Sequence, residues 1–224
     1  MSYAPQFGGG LYGCWRLSEG DGAPLRPGGL ELTKELINLA GFAPGERVVD
    51  VGCGLGASTR LMIERGIFAL GVDLDRFAGA KAPQFIVADG ASLPFADESF
   101  DGALAECSLS TMIDRWRALT EWRRVLKGGG RLALTDVFAR AGSASGRIAT
   151  REALTDSVAA AGFRIERCED RSEALMRWVA EFVFAFGSLD ALSGGAGGLD
   201  GRTLRLCRPG YCLLVASKPA WRSS

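Results

Sequence analysis

The chain has no histidine among its 224 residues. That removes the commonest general base, the commonest proton shuttle and the usual nitrogen ligand of a catalytic zinc. Chemistry here has to come from carboxylates, thiols, hydroxyls or a cofactor. Net charge is missing as well, because Lys plus Arg and Asp plus Glu both number 26. Without a basic field, neither a nucleic acid nor an anionic membrane surface is an expected partner, and a small molecule is the default. No stretch approaches the roughly 18 consecutive apolar residues of a membrane span. The first residues also lack a basic stretch followed by an apolar one, so a cytoplasmic chain is expected.

Six cysteines occur, Cys14, Cys53, Cys107, Cys168, Cys207 and Cys212, none of them in a C-x-x-C pair. In a chain of this size they read as free thiols, and no metal site is expected. Hydrophobic residues make up 47% and charged residues 23%, which is the balance of one well-buried domain.

Short apolar runs alternate with helical patterns. "ERVVDVGCG", "IFALGVDLD", "QFIVADG", "SFDGALAECSL" and "GRLALTDVF" read as strands, and "GLELTKELINLAGF", "ASTRLMIERG" and "DRWRALTEWRRVLKGG" as helices. Alternation of this kind predicts crossover units: a doubly wound α/β fold with a mostly parallel sheet. A helix "TREALTDSVAAAG", a strand "FRIERCED", an apolar helix over 172–192 and a last strand "GYCLLVASK" follow. The strip Glu173, Arg177, Glu181 leaves that long helix apolar over most of its circumference, which predicts burial in a core, a lid or a contact with a second copy of the chain. "SGGAGGLDGR" has the composition of a flexible linker.

The sharpest motif is "VVDVGCGLGAS". Gly52, Gly54 and Gly56 follow a strand and open a helix, where a ligand can approach the backbone closely. The spacing is G-x-G-x-G rather than the G-x-G-x-x-G that seats a pyrophosphate, which counts against a nicotinamide oxidoreductase. Asp50 stands just before the turn and suits a cationic ligand. Asp73, about 20 residues after the first glycine, is placed to accept ribose hydroxyls. Asp89 can take a hydrogen bond from an adenine amino group. Carboxylates at successive strand ends would line one crevice.

With these residues in view, the chain resembles the class I S-adenosylmethionine-dependent methyltransferases from about residue 29 to residue 218, with a local likeness to the quinone C-methyltransferase and arsenite methyltransferase groups. "DVGCGLG", "GVDLD", "ADGASLPFADESFDGALAE" and "EWRRVLKGGGRLALTD" stand in the order of that family. The resemblance implies a seven-stranded Rossmann-like sheet over 29–224, preceded by a flap over 1–28, and S-adenosyl-L-methionine as cofactor. Asp50, Gly52, Gly54 and Gly56 would hold its methionine part, Asp73 and Leu74 its ribose, and Asp89 with Gly90 its adenine. Glu106 would lie near the reacting methyl. Gly128 stands where the family usually has proline.

"LYGCW" and "ECSLS" are similar to two cysteine segments of arsenite methyltransferases, which makes Cys14 and Cys107, along with Glu106, candidate catalytic residues. The third cysteine segment of that group is absent, and Ser143 and Ser145 stand there instead. "LRPGG" also occurs at the head of related methyltransferases. Tyr12, Cys14, Trp15 and Arg26 are therefore expected to close over cofactor or substrate, with Cys107 on the substrate side. DNA base methylation is not expected, because no N/D-P-P-aromatic segment follows the fourth strand. Arg115, Arg117, Arg123, Arg124 and Lys127 read as a solvated helix face with Glu121. A noncatalytic protein on the same fold stays open.

Overall fold

The computed structural model describes residues 26–74, 84–140, 148–186 and 209–220. Seven strands form one sheet: β1 Arg47–Val51, β2 Phe68–Asp73, β3 Phe85–Val87, β4 Phe100–Glu106, β5 Leu126–Ala139, β6 Arg164–Asp170 and β7 Pro209–Ser217. Their spatial order is β3-β2-β1-β4-β5-β7-β6. The first five run parallel, and β7 inserts antiparallel to both β5 and β6. The five principal helices are α1 Gly29–Ala40, α2 Ala57–Glu64, α3 Arg115–Val125, α4 Arg151–Ala160 and α5 Ser172–Phe186. This is the expected doubly wound sheet.

Alternation along the strands builds two separate cores. Val48, Leu104, Ala133, Leu213 and Val215 meet Leu36 and Ile37 of α1, Leu61 and Met62 of α2 and Leu175 of α5. Val49, Val51, Ala103, Leu132, Leu134 and Leu214 meet Leu119 and Trp122 of α3 and Val158 of α4. Asp50 and Glu106 alternate with the second set, so both face α1 and α2.

Local chemistry sets the helix ends. The Asp114 carboxylate accepts from Arg117 N at 2.9 Å to start α3, and Thr150 Oγ1 accepts from Ala153 N at 3.1 Å to start α4. The helix expected to run into the triple glycine instead ends at Val125, and β5 begins with the next residue. Lys218 explains the early stop: its ammonium donates to Leu126 O at 2.6 Å, and its backbone exchanges bonds with Gly129 and Gly130.

The long apolar helix is described as far as Phe186 and is not covered on all sides. Leu175 is buried and Trp178 and Val179 are half-buried, while Met176 and Phe184 are exposed. No described helix is long and apolar enough to cross a membrane. The expected linker 193–202 lies outside the described residues, as do Ser143 and Ser145.

Candidate active site

The site lies where the parallel strands end. β1 runs into a turn that is stitched to the end of β2, with Gly52 N and Cys53 N donating to Val72 O at 2.8 and 3.1 Å. Gly52 has φ +74, and a Cβ there would lie 2.5 Å from the Ser108 Cβ, so only glycine lets this turn pass beneath the loop after β4. Gly56, also left-handed, opens α2. Over Gly54 the space is open, for a Cβ built there would meet nothing within 4 Å.

Asp73, the last residue of β2, accepts from Gly54 N at 3.0 Å and so ties the turn to the neighbouring strand. Leu74 beside it is exposed. Asp89 stands two residues past β3 and accepts from Ala91 N at 2.8 Å, while Gly90 O accepts from the buried Trp122 indole at 2.9 Å. Arg124 of α3 holds the loop between β3 and β4, pairing with Glu121 and Asp97 and donating to Phe95 O and Leu93 O, and Lys127 at the start of β5 is paired with Asp101 of β4.

Asp50 is buried and accepts from Thr59 Oγ1 at 2.7 Å. Burial pushes its carboxyl up to about 7, against the pull of the Thr59 hydrogen bond, and Glu106 pushes it in the same direction as burial. Glu106, the last residue of β4, is buried among donors. It accepts from Ser58 Oγ at 2.6 Å and Thr33 Oγ1 at 3.0 Å and pairs with Arg26 at 2.9 Å. Arg26 also donates to Ser58 Oγ at 2.7 Å and to Thr33. Although burial opposes its charge, the carboxylate of Glu106 raises the Arg26 pKa, and the guanidinium stays protonated. Its Nε is shielded from solvent and has no hydrogen-bond partner among the described residues.

Cys107 follows with φ +55, a backbone state that is rare for a side-chain-bearing residue and is a local source of strain. Its thiol lies 2.9 Å from the Tyr211 hydroxyl, which donates to Thr135 Oγ1 at 2.8 Å. Burial, followed by the neighbouring Cys107, drives the Tyr211 pKa well up, so the phenol keeps its proton.

The structure thus brings Asp50, Gly52, Gly54, Gly56, Asp73, Leu74, Asp89, Gly90, Glu106 and Cys107 to one edge of the sheet. Arg26 packs inward against that edge, on Glu106. Tyr12, Cys14 and Trp15 lie outside the described residues, and no metal-binding cluster occurs among the described ones. Sequence reasoning missed Thr33, Ser58 and Thr59, which satisfy the two buried carboxylates, and Trp122 and Tyr211. The faint available signal was polar residues at core-facing helix positions, visible only once α1 and α2 are docked.

A glycine turn at the end of β1, acidic residues at or just beyond the ends of β1 to β4, and β7 reversed between β5 and β6 together define a class I methyltransferase fold. A sequence pattern described as a methyltransferase domain matches residues 49–134. Over 133 residues the chain is 37% identical to the O-methyltransferase rstn1 of Aspergillus nomiae, covering 54% of this chain and 59% of that one. It is 36% identical to a demethylmenaquinone methyltransferase of Corynebacterium urealyticum, covering 42% and 43%. The chain spans about half the length of these curated relatives. Among solved structures it superposes on the [4+2]-cyclase SpnF with a TM-score of 0.72 and 32% identity, covering 85% of this chain and 81% of that one. The chain belongs to the class I S-adenosylmethionine-dependent methyltransferase family.

Proposed function

We propose that this protein transfers a methyl group from S-adenosyl-L-methionine to a small molecule. The observation that carries the reading is the row formed by Asp89, Asp73, Asp50 and Glu106 along four adjacent strands, beside a glycine turn with open space over Gly54. The unpartnered Arg26 Nε–H is also a fitting donor for an amino-acid carboxylate.

In this reading Asp50 and the glycine turn hold the methionine part, Asp73 and Leu74 the ribose, and Asp89 and Gly90 the adenine. Glu106 and Cys107 stand at the end of β4, beside the place of transfer. When bound, the cofactor supplies a methyl group on a positive sulfur, an electrophile that needs no metal. The residues of the chain align the reactants for in-line displacement, and such alignment can supply about 7–11 kcal/mol of barrier reduction. With no histidine, the acceptor is a soft nucleophile or an acid deprotonated by a carboxylate. Cys14 and Cys107 are the thiols on the acceptor side. Phenylarsine oxide should therefore change Trp emission in the parent and leave Cys107→Ser unaffected.

A second reading, a protein of this fold that binds the cofactor without transferring its methyl, is favoured by the likeness to the [4+2]-cyclase. Calorimetry with S-adenosylmethionine, followed by isotope counting of the labelled methyl in the small-molecule fraction, separates the two. Binding with transfer supports the methyltransferase, and binding without consumption supports the second reading. Tight NADH binding with no response to the sulfonium would sink both.

A further inference from the structure

At the far end of the sheet from β3, two thiols meet on the face that α3 and α4 cover. Asp136, Cys212 and Asp170 stand on one rung across β5, β7 and β6. Cys168 opposes Leu214, two residues along β7 from Cys212, so the two cysteines are diagonal neighbours on the same face. They differ in access. Cys212 is fully buried, whereas Cys168, on the outermost described strand, is half-buried. The Cys212 Sγ lies 3.5 Å from Asp136 O, and its S–H also reaches the sulfur of Cys168. One proton cannot serve both acceptors. While Cys168 holds its own proton the Cys212 S–H rests on the carbonyl, and once Cys168 ionises that S–H turns to the thiolate. This hydrogen bond is the largest influence on Cys168 and brings it down to about 7 against its partial burial, while Cys212 is driven up in return. The charges facing the pair largely offset one another: Arg151 of α4 favours the thiolate, Glu152 and Asp170 oppose it, and Arg140 covers Asp170 at 2.8 Å.

We propose that Cys168 is a reversible thiolation site for a low-molecular-weight disulfide, and that Cys212 is a positioning residue that activates it without bonding to it. The Cys168 thiolate attacks one sulfur of the incoming disulfide. The S–S bond of that molecule breaks, a new S–S bond joins Cys168 to one half, and the other half leaves as a thiolate that takes a proton from water. Cys168 is oxidised and the departing half is reduced, so the electrons balance. The adduct persists because Cys212 does not complete a second exchange. It keeps its proton, which returns to Asp136 O when the thiolate is gone. Diagonal residues of an antiparallel pair also stand about 7–8 Å apart at Cα, beyond the roughly 4.4–6.8 Å that a disulfide spans.

The test uses the full chain and oxidised glutathione, with uptake at Cys168 followed by peptide mass spectrometry at pH 7 and pH 9. The parent should gain one glutathione at Cys168, and dithiothreitol should remove it. Cys212→Ala removes the donor and returns Cys168 toward an ordinary 9. At pH 7 the thiolate fraction then falls about 50-fold, while each thiolate becomes about six- to tenfold more nucleophilic. Uptake should therefore be about sixfold slower than in the parent at pH 7 and about fourfold faster at pH 9. Cys212→Val, which fills the space without a donor, should behave as the alanine variant does and guards against a packing failure there. Cys212→Ser keeps a hydroxyl donor and should follow the parent at both pH values. A parent that takes no glutathione at Cys168, an internal Cys168–Cys212 disulfide in its place, or Ala and Val variants whose rates run parallel to the parent's overturns the assignment.

Discussion

Replacing Asp50 by Asn should change how stability depends on pH. Asp50 is buried beneath the glycine turn, with its carboxyl raised to about 7 by burial, whereas an exposed aspartate ionises near 3.8. Below that lower value both folded and unfolded chains hold the proton. As pH rises toward 7, the unfolded chain releases the proton and the folded chain keeps it, so unfolding gains and stability falls. The gap is roughly three pH units at about 1.4 kcal/mol each, so the full effect is on the order of 4 kcal/mol. Between pH 5 and pH 8 about 3 kcal/mol of it should show. An Asn at this position still accepts the Thr59 hydroxyl through its amide oxygen but does not titrate, and the other carboxylates cancel between parent and variant. Urea unfolding at pH 5 and 8 measures the difference. Asp50→Asn should gain on the parent by about 3 kcal/mol across that interval, and parallel curves would refute the argument. The same sign governs binding. The neighbours of Asp50 are Glu106 and Asp73, which hold its proton on, and Arg26 and Thr59, which pull it off. A cationic ligand adds to the second pair, so the affinity ratio of S-adenosylmethionine to S-adenosylhomocysteine should rise up to about tenfold per unit between pH 6 and 7.

Gly52→Ala places a Cβ 2.5 Å from the Ser108 Cβ on a left-handed backbone, and chemical denaturation should show a loss of at least about 2 kcal/mol together with lost ligand binding. Trp122→Phe removes the donor to Gly90 O from a fully buried side chain, and a loss of about 2–4 kcal/mol is expected by the same assay. Among the described thiols, Cys168 should be alkylated first. The hydrogen bond from Cys212 lowers its pKa to about 7, against its partial burial, while Cys212 itself is pushed up. Iodoacetamide labelling located by mass spectrometry should rise through pH 7 at Cys168 and lose that inflection in Cys212→Ala.

Most of this architecture was legible because the strands are short apolar runs closed by glycine or an acid, as in "VVDVGCG" and "GVDLD". The edge that Asp73 and Asp89 occupy follows from strand ends alone, since parallel strands put their carboxyl ends on one side. The network around Glu106 was not legible. Thr33 and Ser58 lie 73 and 48 residues from it, and nothing local marks a hydroxyl as the donor to a distant carboxylate. Arg26 stood out in the sequence as a candidate, yet its inward packing on Glu106 depends on how α1 docks. The end of α3 was misread for a similar reason. Three glycines in a row read as the stop, but Lys218, distant in sequence, sets the strand start one turn earlier.

The reversed β7 also constrains how the chain can come together as it is made. Among the described residues β6 has no strand neighbour other than β7, and β5 meets β7 along its whole second half. Strands β1 to β5 can assemble while the chain is still growing from the ribosome. Residues 164–170 must wait, unpaired, until residues 209–217 leave the exit tunnel and slide between them and β5. The last rung of the sheet closes only once residues 209–217 have been made, so a product broken off within 187–208 would keep every acidic residue of the candidate site and still present an open β5 edge, a template for self-association.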